Sequence, residues 1–427
     1  MMSNPNQKAP LVHVNVKNAI LFCISAAVIY NVVAFTYVIK SLMTCVSGGE
    51  FGAVLAENER LMELFPRHSI WVQNLVLFPL PNAKAKKYYE SQREIFEEAA
   101  RNFEIHPYFE LDDVKENLTF RQVVHKRIQN MYDQFAENGS MDYRLEKDRC
   151  AMFEFLSRNK IKHPKVTKMW YSQEKMISDV TSGKVTKMMK NWPIFFKACH
   201  LTQRSSGGTF AVKDSDKYED VMDDIVKFVN DKWVYRSRDV DRPWQKEGDA
   251  ITDALTPSFL VQEPMQLSDG SKYAVEGRMS VGLVEVRAEV IWGRVYLVNL
   301  DASAIFLRDG NVEDYSGFIG GVLKMPPGGN PRINWVKDEG YLDCVIETSE
   351  LLAKLAHVEY VRVDIWIDRG NPAGCQVNEI SLSSGYVYFG HEKYMAKLWS
   401  KPFQTKDYKV FKTSKPVHML SRKDTKL

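Results

Sequence analysis

Apolar and polar positions alternate most clearly near the C-terminus. Val361-Arg362-Val363-Asp364-Ile365-Trp366 and Gln376-Val377-Asn378-Glu379-Ile380-Ser381 each carry a period of two and many β-branched residues, which predicts two strands. Asp368-Arg369-Gly370-Asn371-Pro372-Ala373-Gly374 between them is a turn-rich connector, so the pair reads as a β-hairpin. Strands are also expected at Pro164–Trp170, Ile194–Cys199, Phe210–Lys213, Ser258–Gln262, Glu276–Val281, Glu285–Trp292 and Arg294–Leu300, with Gly293 at the last turn. Helical periodicity marks Glu57–Leu64, Ala83–Asn102, Phe120–Glu137, Leu145–Asn159, Glu174–Ser182, Tyr218–Val234 and Asp338–His357. Pro-Pro-Gly-Gly-Asn-Pro at 326–331 is a loop. Helices and strands mix throughout, and the fold class is α+β.

One run departs from both periods. Asn18 to Ile39 carry no formal charge and are closed by Lys17 and Lys40. As a helix, 22 residues span about 33 Å, enough for a bilayer core. A cleaved signal usually has a shorter apolar region, and a buried core helix would show polar residues at helical spacing. The reading is an uncleaved anchor over 17–40, after a short tail at 1–16. Lys8 and Lys17 before the span, against Glu50 and Glu57 after it, favour a cytosolic N-terminus and a lumenal body in the endomembrane system (ER or Golgi). The glycosylation triplets Asn117-Leu118-Thr119 and Asn138-Gly139-Ser140 agree with that orientation, although such triplets also arise by chance.

Residues 41–140 read as a helical stem, 141–399 as the domain that carries chemistry, and 400–427 as a basic, solvated tail. The chain's 427 residues, 45% hydrophobic and 26% charged, allow two to three domains with a sizeable core. A net charge of +3 and the lack of a basic–aromatic stripe give no case for nucleic acid. The six cysteines are widely spaced with no Cys-x-x-Cys pair. That is neither a disulfide framework nor a zinc site, though it leaves room for one or two disulfides whose pairing the sequence does not fix.

The candidate chemistry lies on the hairpin. Cross-strand neighbours stand about 5 Å apart, so Asp364 and Glu379 can share a face with Arg362. Two adjacent carboxylates need a cation, and hard oxygen donors suit Mg²⁺; Arg362 suits phosphate oxygens. The plainer alternative is a set of ordinary surface ion pairs. Further back, Lys147 starts a helix. Lys197 sits on an apolar strand, where a lysine is costly unless it meets an anion. Ser205-Ser206-Gly207-Gly208-Thr209 offers backbone donors that could fold over phosphates. Val261-Gln262-Glu263-Pro264-Met265 runs from a strand end into a loop, with Asp269 just beyond. His200, His357 and His391 show no ligand spacing and no paired nucleophile.

In order and spacing, residues 141–395 resemble the ATP-grasp superfamily, and within it the branch named for the teichuronopeptide-biosynthesis protein TupA. The resemblance rests on Phe195-Phe196-Lys197-Ala198-Cys199-His200 with the Ser-Gly-Gly loop. It rests also on the hairpin Val286 to Arg294, and on Val361–Asp364 with Asn378-Glu379-Ile380-Ser381 and Gly385. It implies two α+β subdomains gripping ATP. Lys147 and Lys197 would contact the α- and β-phosphates, and the loop with Ser206, Gly207 and Gly208 would close over the triphosphate. Gln262, Glu263 and Met265 would hold adenine, and Asp269 the ribose. Asp364 and Glu379 would hold Mg²⁺. Arg287 matches the cationic position on the central hairpin and Arg362 would steady the γ-phosphate or an acyl phosphate, which makes these two the implied catalytic residues. Many ATP-grasp enzymes have Glu-x-Asn where this chain has Glu379-Ile380-Ser381, which leaves one metal position less firmly held. Pro264 removes a backbone donor from the hinge.

The implied activity is ATP-dependent joining of a carboxylate to an amine through an acyl phosphate. The TupA branch suggests a uronic-acid glycan as one substrate and an amino acid or peptide as the other. The competing expectations are a kinase acting on a sugar hydroxyl, and a non-catalytic scaffold in glycan synthesis.

Overall fold

The computed structural model describes residues 83–425, apart from 108–110, 112–113, 115–117, 141, 203–206, 216, 239–241, 266–282, 301–303, 315–330, 371–373, 385–387 and 389. The expected anchor, the first part of the expected stem, the strand at 276–281, Asn117, Ser206, Asp269 and Gly385 therefore lie outside the described residues. Among the described residues no helix is long and apolar enough to cross a membrane.

In chain order the elements are α1 (Ala83–Asn102), β1 (Glu104–Ile105), α2 (Phe120–Asn138), α3 (Arg144–Lys147), α4 (Arg149–Arg158), β2 (Val166–Trp170), α5 (Gln173–Thr181), α6 (Lys184–Met188), β3 (Ile194–Ala198), β4 (Thr209–Val212), α7 (Met222–Val234), α8 (Gln245–Asp253) and β5 (Phe259–Gln262). There follow β6 (Leu283–Ile291), β7 (Arg294–Leu300), β8 (Ala304–Leu307), β9 (Val312–Asp314), α9 (Pro331–Asp338), α10 (Tyr341–Ala356), β10 (Tyr360–Asp368), β11 (Gln376–Ser381), α11 (Glu392–Thr405) and β12 (Lys409–Val410).

Two antiparallel sheets organise the molecule. The smaller has the order β2-β5-β3-β4 and the larger β11-β10-β6-β7-β8-β9. Each has its own core. In the small sheet Ile194, Phe196 and Ala198 point one way, into a cluster with Met176, Val180, Ile225 and Val229 of α5 and α7. In the large sheet Val286, Ala288 and Val290 of β6 and Val361, Val363 and Ile365 of β10 point one way and pack with Val345, Leu352 and Leu355 of α10. Strand alternation sends the intervening residues to the opposite faces, where the polar side chains lie. The tight β6–β7 turn at Trp292-Gly293 takes positive φ at both residues, as a two-residue hairpin of this hand requires. A Cβ on Gly293 would stand 2.3 Å from the Phe103 ring, so no other residue fits.

Three expectations are corrected. The helix expected over Leu145–Asn159 breaks at Asp148, whose extended backbone and side-chain bond to the Ala151 N–H cap α4 afresh. The helix expected over Asp338–His357 forms as α10, and the short α9 precedes it. Residues 83–138, read as stem, contribute Tyr88, Phe96, Phe120 and Ile128 to the core of the large sheet. The tail is not simply solvated. The segment after residue 400 continues α11, pairs β12 in parallel with β1, and buries Val417 and Leu420. The elements β1, α6, α8, β8, β9, α9, α11 and β12 were not foreseen; β9 and β12 are only three and two residues long.

Candidate active site

The hairpin forms as the sequence pattern implies. Asp364 on β10 lies directly opposite Glu379 on β11, and Arg287 on β6 lies opposite Asp364 on its other side. The polar face of the large sheet therefore reads across the strands. One row is Arg287, Asp364 and Glu379, with Glu285 and Trp366 on one side and Glu289, Arg362 and Ser381 on the other. The β10–β11 register shifts just after Asp364. Asn378 is the extra residue, and this bulge lets it share a face with Glu379, since its Nδ2 donates to Glu285 Oε1 at 2.8 Å.

The arginines hold the carboxylates. Arg362 donates to both oxygens of Asp364 (Nε–Oδ1 2.7 Å, Nη2–Oδ2 3.0 Å), and its Nη2 stands 3.7 Å from Glu379. Arg287 is 3.5 Å from Asp364 and 3.2 Å from Glu285. Burial works against charge on Arg362, yet Asp364 more than offsets it and holds the guanidinium protonated beyond its ordinary range. Burial and the neighbouring Asp364 push the carboxyls of Glu379 and Glu285 above the usual carboxylate range. That mutual repulsion, on hard oxygen donors from adjacent strands, fits a divalent cation such as Mg²⁺.

The small sheet supplies the opposing charge. Lys197 on β3 points away from its own core. Its Nζ donates to Gln262 Oε1 at 2.9 Å and lies 6.0 Å from the Trp366 ring of the large sheet. Burial, with Arg149 beside it, pushes its pKa down to about 7, against the pull of Glu285 and Glu379. Gly207 and Gly208 lie in the β3–β4 connection, where Ala198 N–H donates to Gly208 O. Gly207 has φ +58, and a Cβ there would meet Lys232 Nζ at 3.3 Å. The lysine and the glycine loop thus stand at one sheet and the carboxylate–arginine row at the other, a fit for a phosphate chain.

Two expected residues are engaged elsewhere. Lys147 is buried, with Nζ 2.9 Å from Glu146. Glu146 in turn accepts from the N–H groups of Leu382 and Ser383 and from Ser383 Oγ. Burial opposes its charge, but Lys147 and these donors hold its carboxyl down to about 2. The pair secures the chain beyond β11. Glu263 is buried and accepts from Lys165 (2.5 Å), Asn191 (2.6 Å) and Thr167 (3.1 Å), while its N–H donates to Lys165 O. It braces the small sheet. Gln262 and Met265 are buried nearby.

The sequence reading missed Arg149, Glu285, Glu289, Trp366 and Asn378. Arg149 donates to Leu201 O and Thr202 O at the root of the glycine loop. Strand alternation could have given Glu285 and Trp366, because each is two residues from a named one. His200 accepts from Ser258 N–H and bonds Lys232 O, and His357 bonds Glu104 O, so both are structural. Asp148 lies near Cys150 and Cys199, but these two sulfurs are joined in a disulfide, which removes them as metal ligands. Cys344 is joined to Cys375.

No family model matches the chain, and no curated protein does. Among solved structures, D-alanine–D-alanine ligase from Bacillus anthracis is 12% identical, with 65% of this chain and 75% of that one covered at a TM-score of 0.35. The ATP-grasp ligase PsnB with its minimal precursor is 11% identical, with 65% and 68% covered at 0.29. D-cycloserine synthetase DcsG is 9% identical, with 61% and 71% covered at 0.34. Likenesses this loose assign neither fold nor activity.

Proposed function

We propose that the protein is an ATP-grasp enzyme, an ATP-dependent carboxylate–amine ligase. The observation that carries the reading is the cross-strand pair Asp364 and Glu379, set between two arginines and facing Lys197 from the other sheet. The motif order in the sequence supports it.

In this reading a substrate carboxylate oxygen attacks the γ-phosphorus of ATP, and the bond to ADP breaks. An amine nitrogen then attacks the acyl carbon, inorganic phosphate leaves, and the nitrogen loses a proton. Such chemistry asks for positioning and cations more than for a covalent nucleophile. Lys197 and the Gly207–Gly208 loop hold phosphates. Arg287 and Arg362 neutralise charge on the phosphoryl group as it moves. Asp364 and Glu379 would hold Mg²⁺, which when bound withdraws charge from phosphate oxygens.

The finer reading places the protein in the TupA-like branch, with a uronic-acid-type glycan as carboxylate donor and an amino acid or peptide as amine. It has one membrane anchor at 17–40 and a lumenal catalytic domain. Two disulfides support an oxidising compartment, and Asn138 of the glycosylation triplet is exposed at the end of α2.

The test is ADP and phosphate release by the full chain with a panel of carboxylic acids and amines. Release that needs both substrates and yields an amide is expected. Transfer of phosphate to a hydroxyl would replace the ligase with a kinase. Equal turnover by wild type and Glu379→Gln would remove Glu379 from the reaction.

A further inference from the structure

The carboxylate pair already has a cation. Arg362 grips both oxygens of Asp364 and reaches toward Glu379, and its Nη1 lies 3.4 Å from Ser384 Oγ. Arg287 adds a second positive charge at Asp364. Counting Glu285 and Glu289, four carboxylates share the face with two arginines, with Lys197 and Arg149 close by. The cluster is near balance without any ion. A dication added to a balanced, half-buried cluster meets two guanidinium groups at short range, where the low effective dielectric magnifies repulsion. Phosphates reverse that. They bring three or four negative charges and match the planar donor fork of arginine better than a lysine could.

We propose that Arg362 is an internal counter-cation, occupying Asp364 and Glu379 until nucleotide phosphates draw it away and leave the carboxylates to a divalent ion. The inference rests on the nucleotide reading given above. It makes ion and nucleotide binding mutually dependent, each favouring the other to the same degree. The protein then does not load metal ahead of nucleotide, and Arg362 has two positions in one cycle.

The experiment measures Mn²⁺ binding by the full chain without nucleotide, and binding of the non-hydrolysable analogue AMP-PNP without metal. Wild type is compared with Arg362→Met and Arg362→Lys, each checked for an unchanged melting profile. Arg362→Met is expected to bind Mn²⁺ alone about tenfold or more tighter than wild type, and metal-free AMP-PNP about tenfold weaker. Opposite signs are the signature, because a merely structural defect weakens both. Arg362→Lys, which keeps the charge, stays near wild type toward Mn²⁺. Mn²⁺ binding that is unchanged or weaker in a folded Arg362→Met overturns the exchange. Failure of AMP-PNP to bind wild type even with saturating Mg²⁺ overturns the nucleotide reading instead, and the Mn²⁺ comparison still decides whether Arg362 shields the carboxylates.

Discussion

A lysine that titrates near neutrality is a charge the solvent can switch off. Lys197 is such a group, since burial and Arg149 bring it to about 7. Its ammonium form is the one that attracts phosphate. In the free protein that form is complete well below pH 7 and is lost as pH rises through 7. Metal-free AMP-PNP affinity is therefore expected to be flat below about pH 6 and to weaken about fivefold between pH 7 and pH 8. Lys197→Met should bind more weakly at pH 6 and lose this dependence. A pH profile identical in the two proteins would take Lys197 out of the phosphate site. The same lysine was legible in the sequence because a charge on an apolar strand demands an explanation. Lys147 was read from its place at a helix start, and nothing in the local pattern announces that its own neighbour Glu146 claims it.

At the scale of elements, strand alternation carried most of the reading. It placed Asp364 opposite Glu379 because a hairpin leaves little freedom of register. It did not disclose the bulge at Asn378, since a one-residue register shift has no signature in the apolar pattern. Short edge strands such as β9, and α8 with its mixed face, were too brief or too polar to stand out. The glycine loop was legible as a turn with backbone donors; its relation to Arg149 and α4 comes from contacts across about fifty residues. Gly207→Ala puts a Cβ at positive φ and against Lys232, costing about 1 kcal/mol or more locally. A severalfold weaker nucleotide affinity with little change in melting temperature is the expected result. Loss of global stability with unchanged affinity would make the loop structural.

For the whole molecule, the two apolar clusters are accompanied by buried polar ties. These long-range bonds are ones that no local pattern announces. Arg127 of α2 is fully buried. It pairs with Glu359 at 2.9 Å and donates to Leu382 O beyond β11 at 2.8 Å. Arg127→Met leaves Glu359 buried without its partner and should lower stability by about 3–5 kcal/mol, read by denaturant unfolding. A change under about 1 kcal/mol would show that Glu359 finds another solution. The two disulfides close loops of 49 and 31 residues. In the chain-entropy view each contributes about 4 kcal/mol, so reduction under native conditions should lower the melting temperature substantially. No shift on reduction, with thiol counting confirming loss of both bonds, would show that the packing alone suffices. The most direct test of the whole reading is calorimetric titration of Mg·AMP-PNP into wild type, Asp364→Asn and Glu379→Gln. Wild type should bind, and each variant should bind at least about tenfold more weakly, because a charge-assisted contact is lost. Equal affinity in all three folded proteins would contradict it.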